Sequence, residues 1–183
     1  MKIAYVKVGY GKVAYVKVVQ HRVLLVVGLL LPVLLISTAV HAKNLTDALR
    51  LMRAGQYVEA MTAFEPLAAA GNADAEELIG VMYAMGLGVA RDDERAFDWY
   101  LRASLKGHPG AQSGIGWYYE TGRGVAAVDL VRAYAWYVLS AIGGDPDAAV
   151  SQEEVVKKMS AEEIERARRL VDDYRPHLYP YVD

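Results

Sequence analysis

The sequence predicts an all-α protein in which helix–loop–helix units repeat along the chain, with an apolar segment near the N-terminus. The first observation is an internal repeat with a period of about 36 residues. The second is the helical spacing of the apolar residues inside each copy. The third is an uncharged run that follows a basic N-terminal stretch and has the character of an export signal.

The N-terminal segment, residues 1–42, predicts export. Its uncharged run, Val23–Val40, is long enough to cross a bilayer as a helix, and five basic residues and no acidic one precede it. The positive-inside rule then leaves the N-terminus in the cytoplasm and the rest of the chain outside it. Small residues favour cleavage after Ala42, as in a signal peptide. The long basic stretch leaves a retained membrane anchor as the alternative.

These two alternatives predict two locations. The body is periplasmic after cleavage near Ala42, or it is anchored in the inner membrane and lies outside the cytoplasm. Contact with a membrane is expected only through residues 1–42. Because all 22 acidic residues lie after that segment, the body is acidic, which disfavours a nucleic-acid partner.

The repeat occupies residues 73–108 and 109–144, and each copy reads as two helices joined by a glycine-containing loop. A glycine inside a helix costs about 1 kcal/mol relative to alanine. We therefore predict that Gly80 and Gly116 make room for an aromatic ring of the partner helix. The loop glycines are expected at positive φ, and Asp92 or Asp93 and Asp129 as helix N-caps. The paired structural positions are Gly80, Tyr83, Gly86, Gly88 and Trp99 in the first copy, and Gly116, Tyr119, Gly122, Gly124 and Trp136 in the second.

The shared pattern is Ala-x-x-x-Ile-Gly-x-x-Tyr-x-x-Gly-x-Gly-Val followed by Ala-x-x-Trp-Tyr-x-x-Ala/Ser-x-x-x-Gly. It resembles the Sel1-like repeat, a relative of the tetratricopeptide repeat. The resemblance implies a right-handed α-solenoid of helix-turn-helix repeats. It also implies a scaffold or adaptor role in envelope processes or signalling.

The flanks of the two copies are predicted to extend the array. Residues 43–72 read as a degenerate tetratricopeptide-like helix pair, and residues 145–183 as C-terminal capping helices. Asp145-Pro146 is expected to start one helix. Ser160 and Glu163 form a capping box that opens another, which Pro176 should end at about Tyr174. The body is thus predicted to hold about eight helices and no sheet.

Motifs for catalysis, cofactors and metals do not emerge. The chain has no cysteine, and neither His108 nor His177 has a second ligand at metal-binding spacing. Residues 122–127 match a dinucleotide fingerprint on paper, but the match follows a helix where that motif needs a strand. We therefore expect no catalytic residue, no cofactor, no metal and no enzymatic activity.

The predicted function is binding of a protein or peptide. In related arrays the first helices of successive pairs line a concave groove, and the positions outside the core of those helices are Glu77, Val81, Met85, Ser113, Trp117 and Glu120. Trp117 stands where the first copy has Val81, so the repeat core does not require it. It is either a contact for a partner or packed against a neighbouring helix. Two other functions stay open: a hydrolase acting on cell-wall or β-lactam substrates, as claimed for cysteine-rich relatives, and a structural spacer on a membrane anchor.

Overall fold

The computed structural model describes residues 44–180, which hold eight α-helices and no β-strand. This confirms the predicted all-α class and helix number for that part of the chain. The predicted export segment and the cleavage near Ala42 lie outside the described residues. The helices are α1 (Leu45–Arg53), α2 (Tyr57–Ala69), α3 (Ala73–Met85), α4 (Asp93–Ser104), α5 (Pro109–Thr121), α6 (Leu130–Ile142), α7 (Ala148–Val156) and α8 (Ala161–Leu178).

The first six helices form three packed pairs of a solenoid, and α7 and α8 follow them. From α1 to α7, each helix packs against the next one in the chain. The last helix, α8, packs on α6 rather than on α7. Apolar residues of neighbouring helices meet in separate core clusters, which include Phe64, Ile79 and Met82 early in the array and Ile115 and Leu139 later. None of the helices between residues 44 and 180 is long and apolar enough to cross a membrane.

Side-chain caps begin three of these helices, α4, α6 and α8, where the sequence predicted them. Asp92 and Asp129 each accept a hydrogen bond from the backbone N–H three residues on, at 2.9 Å. Ser160 and Glu163 form the reciprocal capping box of α8. These caps satisfy N–H groups that have no partner inside the helix.

Two predicted helix ends are wrong. The last helix runs through Pro176 to Leu178, because Tyr179 donates its backbone N–H to the Arg175 carbonyl oxygen at 2.8 Å and its ring packs into the body. The helix after the second repeat begins at Ala148 rather than at Asp145. The Asp145 carboxylate is held by the Ser140 hydroxyl at 3.0 Å, and it accepts the Asp147 backbone N–H in a turn.

Candidate protein-binding surface

The helix glycines bring the aromatic rings of the second helices onto the backbone of the first helices. A Cβ added at Gly80 would lie 3.2 Å from the Tyr100 ring, and one at Gly116 would lie 2.8 Å from the Tyr137 ring. The prediction that these glycines give room to a ring is confirmed. Because each ring occupies the space that a Cβ would need, the ring and the glycine together set how closely the two helices of a repeat approach.

Tyr100 is also covered from the other side, by α5. A Cβ at Gly114 would lie 3.0 Å from the Tyr100 ring, so the ring is wedged between α3 and α5. Burial, reinforced by the Glu77 charge, raises the pKa of the Tyr100 hydroxyl. Sequence reasoning missed Gly114 because the first copy has Leu78 in its place. The only signal was a third glycine within one helix.

The loop glycines divide into two roles that the sequence did not separate. Gly86 and Gly88 both have a φ of 71°, and Gly122 and Gly124 are also in the left-handed region, as predicted. The second glycine of each loop additionally touches the preceding helix pair. A Cβ at Gly88 would lie 2.6 Å from the carbonyl carbon of Tyr57, at the start of α2. A Cβ at Gly124 would overlap the Asp93 carbonyl oxygen, at the start of α4.

Each paired aromatic residue of the repeat packs against an arginine guanidinium or another aromatic ring. Trp136 is buried and its ring centre lies 5.7 Å from that of Tyr174 on α8. Trp99 is half-buried, with the Arg102 guanidinium 4.2 Å from its ring centre. Arginines of the second helices cover the other pair at 5.6 Å and 5.4 Å, in the contacts Arg95 on Tyr83 and Arg132 on Tyr119. The predicted structural role of these four rings agrees with these contacts.

The face formed by non-core residues of α3 and α5, here called the first-helix face, carries the six predicted binding residues. Met85 is 66% exposed and Trp117 is 39% exposed. Val81, Ser113 and Glu77 are half-buried beside them. The apolar part of this face therefore lies toward the C-terminal ends of the two helices.

Trp117 is the largest exposed ring on this face. The Arg123 guanidinium lies 5.3 Å from its ring centre, and Tyr118 meets it edge-on at 5.1 Å. Arg123 is itself held by Asp93, with Nη2 and Oδ2 3.0 Å apart. The fold thus presents an indole and a guanidinium together. Sequence reasoning did not select Arg123, because it lies in the loop and the first copy has Leu87 there.

Glu120 differs from the other five predicted binding residues. It accepts a hydrogen bond from the Tyr137 hydroxyl at 2.9 Å and forms an ion pair with Lys158 Nζ at 2.7 Å. Its carboxylate thereby joins α5, α6 and the connection after α7. A partner that used Glu120 would have to compete with these two contacts.

The junction between α3 and α5 is polar. The His108 ring caps α5, since Nδ1 accepts the Ala111 backbone N–H at 3.1 Å while Nε2 lies 3.2 Å from Asp74. Burial raises the pKa of nearby Glu77; the electrostatic interaction with His108 opposes this shift and the Asp74 charge adds to it. The hydrogen bond from the Ala111 backbone N–H thus gives His108 the role of a helix cap. No group of three or more potential metal-ligating side chains comes together within residues 44–180.

One charged residue that sequence reasoning passed over is fully buried. Glu76, on α3, is 0% exposed and lies between Arg102 of α4 at 2.9 Å and Lys106, just after α4, at 2.5 Å. The sequence shows only the adjacent carboxylates of Glu76 and Glu77 at this point, and nothing local indicates that one of them is buried. Its counterpart Gln112 is also buried and accepts the Tyr179 hydroxyl. Each repeat thus buries a polar side chain at this position, and that side chain joins neighbouring helices.

The family model of the Sel1 repeat matches residues 73–108 and 109–145. These limits coincide with the two copies found in the sequence to within one residue. The chain is a Sel1 repeat protein. The helix glycines, loop glycines and paired aromatics described above are thus Sel1 repeat positions in this chain.

Solved structures show the same architecture. The chain is similar to a Sel1 repeat protein from Oxalobacter formigenes, with 30% identity and a TM-score of 0.59 over 72% of this chain and 56% of that one. It also resembles in fold a protective antigen of uropathogenic Escherichia coli strains with an SLR fold, with 23% identity and a TM-score of 0.73. That similarity covers 80% of this chain and 32% of the antigen. No curated protein matches the chain.

Proposed function

We propose that this Sel1 repeat protein is an exported, non-enzymatic adaptor that binds a segment of a protein partner on the first-helix face. The observation that carries the proposal is the exposed Trp117 indole beside Arg123. Tryptophan and arginine are enriched among the residues that dominate binding energy at protein interfaces. The Val81 position of the first repeat shows that the helix core does not need a large ring there.

The proposed mechanism is equilibrium docking without covalent chemistry. Asp93 holds Arg123 before any partner arrives, so little side-chain freedom is lost when a partner binds. Met85 extends the apolar surface onto α3. Two full repeats give a short face, so we expect modest affinity, which tethering to a membrane would raise through effective concentration.

The non-enzymatic part of the proposal is supported by the role of the perturbed titratable groups. The hydroxyl groups of Tyr100 and Tyr137 have raised pKa values because their rings are buried against the helix glycines. These positions explain the perturbation by packing rather than by acid–base chemistry. The export part is supported by the basic and apolar pattern of residues 1–42.

The experiment compares Trp117→Ala with Leu105→Ala as a matched control. Leu105 is 61% exposed and follows α4, so it is not part of the first-helix face. Each variant is produced as the full chain, and partners are cross-linked in envelope extracts, identified by mass spectrometry and titrated in purified form. We expect Trp117→Ala to weaken binding at least tenfold, and Leu105→Ala to leave it unchanged.

Stability is measured in parallel by urea denaturation. Because Trp117 is partly exposed, its replacement should cost about 1–2 kcal/mol, less than the loss of a fully buried ring. Unchanged partner binding by a folded Trp117→Ala protein would contradict the proposal. Turnover of cell-wall or β-lactam substrates that one side-chain substitution abolishes would also contradict it. N-terminal sequencing of the mature protein distinguishes cleavage near Ala42 from a retained anchor.

A further inference from the structure

A side chain caps the first helix of each of the three packed pairs, and one of these caps can change its charge. Asn44 caps α1 and Asn72 caps α3, each through a side-chain oxygen that accepts the backbone N–H three residues on, at 3.0 Å and 2.8 Å. One repeat after Asn72 stands His108, whose Nδ1 accepts the Ala111 N–H of α5 at 3.1 Å. Histidine ordinarily changes charge between about pH 5 and 8, whereas asparagine does not titrate.

The hydrogen bonds of His108 define its protonation state in this fold. A backbone N–H can only donate, so Nδ1 must be the unprotonated nitrogen of the ring. The proton of the neutral imidazole then lies on Nε2, which donates to Asp74 Oδ1 at 3.2 Å. A second proton would have to go onto Nδ1, where it would face the Ala111 N–H. The cap of α5 therefore exists only while the ring is neutral.

The acids next to the ring favour its charged form. A Cβ added at Gly110 would lie 3.4 Å from the His108 Cε1 and 4.0 Å from the Glu77 Oε1, so the ring and this carboxylate border the same space. Burial raises the pKa of Glu77, and the interaction with His108 acts in the opposite direction. A protonated ring that gives up the cap thus has two carboxylates within reach, those of Asp74 and Glu77.

Other charged and titratable groups packed around the start of α5 have different partners. These contacts join Arg102 and Lys106 to Glu76, the Asp145 carboxylate to the Ser140 hydroxyl, and the Tyr179 hydroxyl to Gln112. Among the described residues, the acids that interact with the ring are Asp74 and Glu77, both on α3.

We propose that His108 is an acid-sensitive cap that links α3 to α5. When Nδ1 takes a proton from solvent, the ring releases the Ala111 N–H to water and pairs with the carboxylates of Asp74 and Glu77. No covalent bond changes. The first turn of α5 loosens, and the negative charge at the α3 side of the first-helix face is neutralised. This response does not depend on what binds that face.

The test is a pH titration of the full chain in detergent by nuclear magnetic resonance. Ring nitrogens are labelled with ¹⁵N, and the His108 signals are assigned by their loss in His108→Asn. We expect a neutral ring protonated on Nε2 at about pH 8 and a ring protonated on both nitrogens at about pH 5. Over the same range the hydrogen-exchange protection factor of the Ala111 amide should fall at least about threefold, because the amide loses its cap.

The two equivalent caps supply matched variants. His108→Asn places the cap residue of α1 and α3 on α5, so the Ala111 amide should stay protected at both pH values. The reverse change, Asn72→His, should transfer the pH response to α3 and make protection of the Ala75 amide depend on pH. Asp74→Asn removes one partner of the charged ring, so protection of Ala111 should then be lost only at lower pH.

Several results would overturn the proposal. One is a neutral His108 ring that carries its proton on Nδ1, and another is a ring that takes no second proton by about pH 5. A third is an Ala111 amide that stays equally protected while the ring titrates. The same loss of protection in His108→Asn would also overturn it, because the pH response would then arise elsewhere in the chain. If Asp74→Asn left the midpoint of the loss unchanged, the proposed pairing with the α3 carboxylates would be wrong.

Discussion

The second loop glycine of the first repeat offers the sharpest stability test, because the chain contains its own controls. Gly55, Gly86 and Gly88 have φ values of 73°, 71° and 71°, so alanine meets the same backbone strain at each position. Their surroundings differ. A Cβ at Gly55 would touch nothing within 4 Å, one at Gly86 would make ordinary contacts at 3.5 Å, and one at Gly88 would lie 2.6 Å from the Tyr57 carbonyl carbon.

These distances set the expected order of the effects. The left-handed conformation alone costs alanine about 1 kcal/mol, so Gly55→Ala and Gly86→Ala should each lower the free energy of unfolding by about that much. Gly88→Ala adds an overlap with backbone that cannot rotate away, and overpacking of this kind costs about 1–3 kcal/mol more. For a body of this size the total corresponds to a fall in Tm of about 10 °C.

Urea denaturation followed by far-ultraviolet circular dichroism measures the three variants. Because helical repeats can open from one end, hydrogen exchange of the first amides of α2 is recorded as well. We expect Gly88→Ala to accelerate exchange there, and Gly86→Ala to leave it close to wild type. A Gly88→Ala protein within 0.5 kcal/mol of Gly86→Ala would refute the claim that this glycine exists for contact between repeats.

Three further predictions concern polar groups. Burial raises the pKa of Glu77, so the folded state holds the Glu77 proton more tightly than the unfolded state, and stability should fall as the pH rises from the ordinary glutamate pKa through the raised one. In denaturation midpoints measured across this pH range, Glu77→Gln should remove the dependence. The buried Tyr118 hydroxyl has no hydrogen-bond partner whereas that of Tyr137 donates to Glu120, so by calorimetry Tyr118→Phe should be neutral or stabilising and Tyr137→Phe should cost about 1 kcal/mol. Glu76→Gln should cost about 2 kcal/mol in urea denaturation, because its two basic partners lose a buried carboxylate, and wild-type stability would show that the pair contributes nothing.

The sequence predicted the repeat, its helices and the reason for its helix glycines, because these features are local or recur at a fixed spacing. Gly80 and Gly116 stand in the middle of helices, where glycine is unfavourable, so a packing reason could be inferred without coordinates. The N-caps at Asp92 and Asp129 were predictable for the same reason, since a cap acts within three residues of itself.

The sequence predictions failed where contacts between distant parts of the chain determine the structure. Proline lacks an N–H and ordinarily ends a helix, but docking of Tyr179 into the body holds the turn after Pro176. Glu120 was predicted to contact a partner, but in the fold its carboxylate binds the Tyr137 hydroxyl and Lys158. Arg123 gained its place beside Trp117 only through the anchoring carboxylate of Asp93, thirty residues earlier.

By itself the sequence determined what repeats: the period, the helix pairs, the small positions that admit rings, and the basic and apolar pattern from which export is predicted. The tertiary structure alone decided how the repeats contact each other, including the close approach of the second loop glycines to the preceding helices and the burial of Glu76. The physical reason is range. Hydrogen bonds within a helix and left-handed turns act over a few residues, whereas the contacts between repeats depend on which backbones the stacking brings within van der Waals distance.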